Sequence, residues 1–118
     1  MTEERPWGRY QVLGDGIGWK VKRLLIDPSQ RFSLQYHRNR SEFWVVINGR
    51  GIAIVGQSEK PLSPGEIIHV PQGVLHRASN MDRDVPLEII EVQLGEMLSE
   101  EDVIRIEDDY GRMDSPSG

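Results

Sequence analysis

Short apolar segments alternate with turn signals along most of the chain. Stretches rich in Val, Ile, Leu and aromatic residues lie between Gly- or Pro-containing turns, spaced by roughly 8–12 residues as in all-β sandwiches and barrels. This pattern predicts strands near Arg9–Leu13, Trp19–Ile26, Phe32–His37, Phe43–Ile47, Gly51–Val55, Ile67–Val70, Leu75–Ser79 and Leu87–Leu94.

Two turns are predicted from their residues. Asn48-Gly49 lies between apolar segments and predicts a β-hairpin, because both residues tolerate positive φ angles. Leu98–Asp102 favours a single helical turn capped by Ser99. We interpret residues 1–112 as one domain and expect residues 113–118 to form a flexible tail.

The alternation within one predicted strand places polar groups on a shared face. Phe32, Leu34 and Tyr36 point one way, while Gln35 and His37 point the other way. A polar pair on a strand face is costly if that face only contacts apolar core. The pair is favourable if the face lines a wet or metal-filled cavity.

The composition narrows the class of protein. Lys and Arg number 14 against 19 Asp and Glu, so the net charge of −5 and the lack of a basic run argue against a nucleic-acid partner. The apolar runs are too short to span a membrane and no signal-peptide pattern is present, so we expect a cytoplasmic protein without a membrane partner. The absence of cysteine excludes thiolate metal sites, cysteine nucleophiles and disulfides.

The histidines are the first candidates for chemistry, and they are His37, His69 and His76. A divalent ion needs several imidazole or carboxylate donors that converge on one point. Gln35 and His37 on one strand, Glu42 on the next and His76 on a third could converge inside a small barrel. The alternative is that His37 and His76 are half-buried strand residues held by hydrogen bonds. We expect His69 to be structural.

Two spaced motifs resemble those of the cupin family. The first motif reads Gln35-Tyr36-His37, four residues, Glu42, six residues and Gly49. The second motif consists of Gly65, Pro71, Gly73, His76 and Asn80. The resemblance implies an all-β, single-domain cupin fold, which is a double-stranded β-helix or jelly-roll barrel with its metal site in the mouth.

A longer resemblance covers nearly all of residues 5–112. It is carried by RPWGRYQVL at Arg5–Leu13, KVKRLLIDP at Lys20–Pro28, SLQYH at Ser33–His37, E-x-W-V-V at Glu42–Val46, PLEIIEVQLGE at Pro86–Glu96 and EDDYGR at Glu107–Arg112. These segments resemble the C-terminal domain of type II mannose-6-phosphate isomerases, which follows a mannose-1-phosphate guanylyltransferase in many members.

The resemblance implies a metal-dependent isomerase that interconverts mannose 6-phosphate and fructose 6-phosphate in sugar-nucleotide and polysaccharide-precursor metabolism. We expect no guanylyltransferase activity, because the chain has no glycine-rich phosphate loop. A separate guanylyltransferase in the same pathway is a candidate partner.

Three positions depart from the pattern of this family. Ser29 stands where the family usually has glycine, and Asn39 and Phe43 stand where it usually has histidine. If the histidine at the Asn39 position were a ligand or an acid–base group, activity would be weakened here. The cupin spacing itself retains Gln35 among the four ligand positions.

The cupin spacing implies four metal ligands, which are Gln35, His37, Glu42 and His76. They are expected to bind one divalent ion, and this mixed nitrogen and oxygen set suits Zn, Mn, Fe, Co or Ni. The alternative is a cupin without metal whose polar barrel only binds sugar.

The reaction implied by the resemblance assigns further roles. The phosphate of a small phosphorylated sugar needs cations, and the candidates are Arg112, Lys22 and Arg40. Glu42, Lys22 and Arg112 are the candidate catalytic residues. The proton-transfer base could be Glu42, Glu91 or Lys22.

Two other functions stay open at this stage. One is a non-catalytic cupin that binds sugar phosphate or regulates another protein. The other is a different metal-cupin enzyme, such as an oxygenase or another sugar isomerase. We expect a homodimer, because small barrels leave strand edges to cover. Trp7, Trp19 and Trp44 are expected to lie in the core or at a subunit interface.

Overall fold

A computed structural model describes residues 2–96 and 98–112. Within this part of the chain, eleven strands form two antiparallel sheets, and no helix is present. The strands are β1 (Thr2–Arg5), β2 (Gly8–Gly16), β3 (Trp19–Ile26), β4 (Leu34–Tyr36), β5 (Arg40–Asn48), β6 (Gly51–Val55), β7 (Ser58–Leu62), β8 (Ile67–Val70), β9 (His76–Asn80), β10 (Leu87–Gly95) and β11 (Ile104–Glu107). The all-β prediction is confirmed.

The two sheets enclose one apolar core. One sheet has the strand order β1-β2-β3-β10-β5-β8, and the other has the order β11-β4-β9-β6-β7. Fully buried side chains such as Trp44, Ile26, Leu87 and Ile89 lie between them. Trp7 is also buried in this core, as predicted, whereas Trp19 is exposed.

The inner face of the larger sheet changes from apolar to polar along its central strands. On β10, Ile89 lies opposite Leu24 of β3 in the antiparallel register. Two residues further, Glu91 lies opposite Lys22 of β3 and Trp44 of β5. Because side chains two residues apart share a face, apolar and polar inward positions gather at opposite ends of the sandwich. The apolar end forms the core and the polar end forms a site.

Three strands were not predicted from the sequence, and each is at the edge of a sheet. These are β1, β7 and β11. An edge strand is half covered, so its sequence need not alternate apolar and polar residues, and β7 even contains Pro61. The strand predicted at Phe32–His37 is shorter than expected and spans Leu34–Tyr36.

The hairpin predicted at Asn48-Gly49 is wrong. The turn exists, but β5 pairs with β10 and β8, whereas β6 pairs with β7 and β9. The turn therefore carries the chain from one sheet to the other. Gly49 has a φ of 92°, and a Cβ atom there would lie 2.6 Å from the carbonyl oxygen of Pro86. Among the described residues other than glycine, positive φ is confined to Ser29, so Asn48 lacks the geometry of a type I′ hairpin.

The helical turn predicted at Leu98–Asp102 is also wrong, although the cap is present. The amide of Glu101 donates to Ser99 Oγ at 3.1 Å, and the amide of Asp102 donates to the Ser99 carbonyl at 3.1 Å. The chain then continues into β11 without further helical hydrogen bonds, because that strand pairs with β4. The division into residues 1–112 and a tail stays a prediction, and residues 113–118 lie outside the described residues.

Ser29 provides a test of backbone strain. Its φ of 63° lies in the left-handed region, where a side chain costs about 1–2 kcal/mol. We expect Ser29→Gly to raise the free energy of unfolding by about 1 kcal/mol, measured by denaturant titration. The control Ser63→Gly lies at a negative φ and should lower the free energy of unfolding. A loss of stability in Ser29→Gly would contradict the strain.

Candidate metal centre and adjoining cavity

Three side chains from separate strands meet at the polar end of the sandwich. His37, Glu42 and His76, which we call the His–Glu cluster, are each at most 2% exposed. Their nearest ligand atoms all lie within 4.8 Å of one another. The structure therefore brings together three of the four predicted metal ligands, with Gln35 beside them.

The strand register explains why these residues meet. Glu42 lies on the inner face of β5, two residues from Trp44, and Gln35 of β4 lies directly opposite His76 of β9. His37 immediately follows β4. Positions that are distant in sequence are thus adjacent once the two sheets face each other.

Both imidazoles are oriented by backbone carbonyls. Nδ1 of His37 lies 2.6 Å from the carbonyl oxygen of Asp102, and Nδ1 of His76 lies 2.9 Å from that of Val74. A carbonyl oxygen only accepts hydrogen bonds, so both Nδ1 atoms carry a proton. Each Nε2 atom is directed toward Glu42, which is the orientation typical of metal-ligating histidines.

The contacts inside the His–Glu cluster favour a cation. Nε2 of His37 is 3.1 Å from Glu42 Oε2, and Nε2 of His76 is 3.7 Å from Glu42 Oε1. Nε2 of His76 is buried and has no hydrogen-bond partner in the described part of the chain. Lone pairs that face each other in a buried space are stable only when a proton or a metal ion lies between them. The cluster therefore fits a divalent ion with nitrogen and oxygen ligands.

The pKa values agree with this interpretation. Burial lowers the pKa of His76 to about 4, although the negative charge of Glu42 opposes the shift. Burial alone would raise the pKa of Glu42, but contacts with His37, His76 and Arg40 outweigh it and hold that pKa well below its ordinary value. At neutral pH, His76 is neutral and Glu42 is ionised, as metal ligation requires.

Gln35 is the predicted ligand with the least direct geometry. Its Nε2 atom is 3.5 Å from Nε2 of His37, and its Oε1 atom contacts Ser33 Oγ at 2.6 Å. A hydroxyl group both donates and accepts, so Ser33 can satisfy either end of the amide. Rotation of the amide would present the oxygen of Gln35 to the His–Glu cluster without loss of this hydrogen bond.

Arg40 covers the His–Glu cluster on its cavity side. Its guanidinium group donates to Glu42 Oε2 at 2.9 Å and to His37 Nε2 at 3.2 Å. A third contact reaches the Ser99 carbonyl at 3.4 Å. The arginine thus supplies positive charge to the same two atoms that a metal ion would contact.

A cavity adjoins the cluster, because Gln35 and Arg40 both line it and both contact His37. Five cationic side chains line it, which are Arg5, Lys22, Arg40, Arg105 and Arg112. Three of them were predicted from the sequence to contact substrate, and their roles stay predictions. The sequence analysis missed Arg5 and Arg105, although Arg5 belongs to the quoted RPWG segment and Arg105 alternates with apolar residues in β11.

Two carboxylates, Glu91 and Glu100, also line this cavity. Glu100 forms an ion pair with Lys22, whose ammonium group also lies 4.1 Å from the centre of the Tyr10 ring. Glu91 accepts hydrogen bonds from Gln93 at 2.6 Å and from the Trp44 indole at 3.3 Å. Burial, together with the negative charge of Glu42, raises the pKa of Glu91 to about 8.

Residues 98–103, which we call the strap, lie beside the cluster and the cavity. Lys20 donates to the Leu98 carbonyl at 2.9 Å. Further along, the carboxylate of Asp102 accepts the backbone amides of Arg38 and Asn39 at 3.0 and 2.9 Å. Since the Asp102 carbonyl also holds His37, the strap fixes the loop that carries a predicted ligand. Nothing in the local sequence of Asp102 indicated this contact.

Asn39 and Phe43, which stand where the family usually has histidine, lie away from the His–Glu cluster. Phe43 points to the outer face of the sheet and stacks on His69, with ring centres 4.5 Å apart at an angle of 11°. Asn39 is exposed in the loop after His37. Neither position replaces a member of the cluster, and His69 lies outside it as expected.

The chain is similar to known proteins along most of its length. A family model described as mannose-6-phosphate isomerase C-terminal matches residues 1–108. The xanthan biosynthesis protein XanB of Xanthomonas campestris pv. campestris is 41% identical over 108 residues, which cover 92% of this chain and 23% of that protein. The mannose-1-phosphate guanylyltransferase ManC of Salmonella typhimurium is 39% identical over 109 residues, covering 92% and 22%. The chain spans less than a quarter of the length of these relatives.

Solved structures confirm the cupin fold. The capsular polysaccharide assembling protein CapF from Staphylococcus aureus superposes with a TM-score of 0.77 at 18% identity, covering 91% of this chain and 32% of that one. A cupin similar to RmlC from Shewanella frigidimarina gives a TM-score of 0.71 at 20% identity, with 80% and 83% covered. Among the described residues, no helix has the length and apolar character to cross a membrane.

The His–Glu cluster predicts metal-dependent stability. A divalent ion at roughly 100 times its Kd should raise the free energy of unfolding by about 2.7 kcal/mol, because it binds only the folded chain. We expect Mn²⁺, Co²⁺, Ni²⁺ or Zn²⁺ to raise the melting temperature of the wild type, measured by differential scanning fluorimetry.

The matched variants are His76→Ala and His69→Ala. His76→Ala should abolish the metal-dependent shift in melting temperature, whereas His69→Ala should retain it, because His69 is exposed outside the cluster. An equal shift in both variants would show that the metal binds elsewhere.

The Asp102 carboxylate predicts a separate effect on stability. Asp102→Ala removes the acceptor of two backbone amides and should lower the free energy of unfolding by about 1–3 kcal/mol. Denaturant titration measures this change. Glu101→Ala, an exposed neighbour, is the control. Equal midpoints for Asp102→Ala and the wild type would contradict an anchoring role for the strap.

Proposed function

The chain belongs to the family of mannose-6-phosphate isomerase C-terminal domains, and on this premise we propose that it is a metal-dependent isomerase of sugar phosphates. The proposed reaction interconverts mannose 6-phosphate and fructose 6-phosphate. It removes the proton on C2 of the open-chain aldose, passes through an enediol and adds a proton at C1. The hydroxyl proton on O2 is exchanged for one on O1.

One observation carries this proposal. A buried cluster of two imidazoles and a carboxylate lies next to a cavity lined by cations and by two further carboxylates. The cluster suits a divalent ion, the cations suit a phosphate group, and a carboxylate suits proton transfer. These are the three requirements of the proposed reaction.

The metal ligands would be His37, Glu42 and His76, with Gln35 as the fourth. When bound, a divalent ion acts as a Lewis acid on the carbonyl and hydroxyl oxygens of the sugar. The chain supplies the rest of the environment. The carbonyls of Asp102 and Val74 fix the two imidazoles, and Trp44 donates its indole N–H to Glu42 at 3.0 Å.

Glu42 and Glu91, the two carboxylates predicted as candidate bases, have different surroundings in the structure. Glu91 lines the cavity, whereas Glu42 is held by His37, Arg40 and Trp44 behind it. We therefore assign proton transfer between C2 and C1 to Glu91 and metal ligation to Glu42.

Lys22 and Arg112 both line the cavity, and their catalytic and substrate-binding roles stay predictions. Lys22 lies opposite Glu91 in the register of β3 and β10, and both residues line the cavity. Its ammonium group is suited to contact an oxygen of the sugar beside the proton-transfer group. The homodimer, the separate guanylyltransferase and the cytoplasmic location also stay predictions.

A coupled assay tests the proposed reaction. Metal-replete wild type should convert mannose 6-phosphate to fructose 6-phosphate, and a chelator should abolish this turnover. Glu91→Gln should lower kcat by roughly 10²–10⁴-fold while metal content stays unchanged. Glu88→Gln is the matched control, because Glu88 lies on the outer face of β10 and binds Arg23 at 2.6 Å.

Two outcomes would contradict the proposal at different levels. If Glu91→Gln keeps the kcat of the wild type, the assignment of proton transfer is wrong. If metal-replete wild type turns over neither sugar phosphate, the isomerase itself is wrong, and the non-catalytic sugar-phosphate cupin takes its place.

A further inference from the structure

Three arginines from different segments line one part of the cavity. Arg5 ends β1, Arg105 lies in β11, and Arg112 follows the turn after that strand. We call them the arginine end of the cavity. Arg105 as a residue is 8% exposed, and the side chains of Arg112 and Arg5 are 16% and 21% exposed. Such low exposure is unusual for cations on a surface.

Local contacts orient each guanidinium group. Arg5 donates to the Glu4 carbonyl at 2.7 Å and to the Tyr10 hydroxyl at 3.2 Å. Arg112 donates twice to the carboxylate of Asp108, at 3.1 and 3.2 Å. Arg105 lies opposite Gln35 in the register of β11 and β4, so it projects from the same face of the sheet as Gln35.

The charges divide the cavity into two parts. In the inner part, beside the His–Glu cluster, Lys22 contacts Glu100 and Arg40 contacts Glu42. At the arginine end, Arg112 forms an ion pair with Asp108, and Arg5 lies 3.9 Å from Glu3. At the arginine end, burial and the positive charges of Arg112 and Arg5 lower the pKa of Arg105, against the negative charge of Asp108. Positive charges held this close in a partly buried cavity are stabilised by an anion.

We propose, on the basis of the isomerase function above, that Arg5, Arg105 and Arg112 form the subsite for the phosphate group of the substrate. A phosphate dianion accepts paired hydrogen bonds from guanidinium groups, which lysine cannot supply in the same fork geometry. The sugar then extends inward, and C1 and C2 lie toward Glu91 and the His–Glu cluster. Lys22 and Arg40 belong to the inner part and contact the sugar, not the phosphate.

Inorganic phosphate is the probe that tests this subsite without catalysis. We expect the full chain to bind phosphate in isothermal titration calorimetry, and Arg5→Gln and Arg105→Gln to weaken binding roughly ten- to a hundredfold each. Arg9→Gln removes the same charge from an exposed position on β2 and should bind phosphate as the wild type does. Wild-type affinity in both cavity variants would overturn the proposal.

A second measurement covers the risk of misfolding. Arg105→Lys keeps the charge at a buried position but loses the fork, so it should fold and still bind phosphate less tightly than the wild type. In all variants, the Co²⁺-dependent shift in melting temperature reports whether the His–Glu cluster is intact. Wild-type phosphate affinity in Arg105→Lys together with wild-type affinity in Arg5→Gln would overturn the subsite.

The results separate this inference from the proposed function. Arginine-dependent phosphate binding without turnover of mannose 6-phosphate would support the subsite and refute the isomerase. Turnover with an unchanged KM for mannose 6-phosphate in Arg5→Gln and Arg105→Gln would support the isomerase and refute the subsite. If the subsite and the isomerase are both correct, Arg5→Gln and Arg105→Gln should raise the KM for mannose 6-phosphate. Their metal content should stay at the wild-type value.

Discussion

The buried carboxylate of Glu42 is the constraint on which the site depends. A negative charge removed from water is costly unless cations and hydrogen-bond donors surround it. Here Arg40, Trp44 and two imidazoles converge on Glu42 from the surrounding chain. The Nδ1 atom of each imidazole donates to a backbone carbonyl, so the Nε2 atom of each faces the Glu42 carboxylate. This geometry suits the cluster to the proposed divalent ion.

The antiparallel register aligns the apolar core and the polar site along the same strands. Because β3, β10 and β5 change from apolar to polar at matching positions, the same three strands contribute to both the core and the cavity. The core end contains Ile26, Leu87 and Ile89, and the other end contains Lys22 and Glu91. A shift of one residue in either pairing would turn these groups outward and remove core and site together.

The C-terminal part of the described chain supplies further contacts to the cluster and the cavity. Residues 98–103 bring the Asp102 carbonyl to His37 and place Glu100 beside Lys22, while β11 brings Arg105 opposite Gln35. Ligand orientation, charge balance and the proposed phosphate subsite thus all draw on a segment about 60 residues away from the loop after β4. The proposed proton transfer and the proposed phosphate binding can be tested separately, because residues of different strands are assigned to them.

The sequence alone determined the all-β class, most central strands and the three residues of the His–Glu cluster, because motif spacing and side-chain alternation are local properties. It did not reveal that Asn48-Gly49 crosses between sheets, nor the edge strands, since pairing partners depend on the whole fold. It suggested Arg112 but did not indicate Arg5 and Arg105, which line the same cavity only because the fold brings β1 and β11 to it. Only the tertiary structure placed Phe43 on the outer face, because the direction of a side chain follows from register and not from residue type.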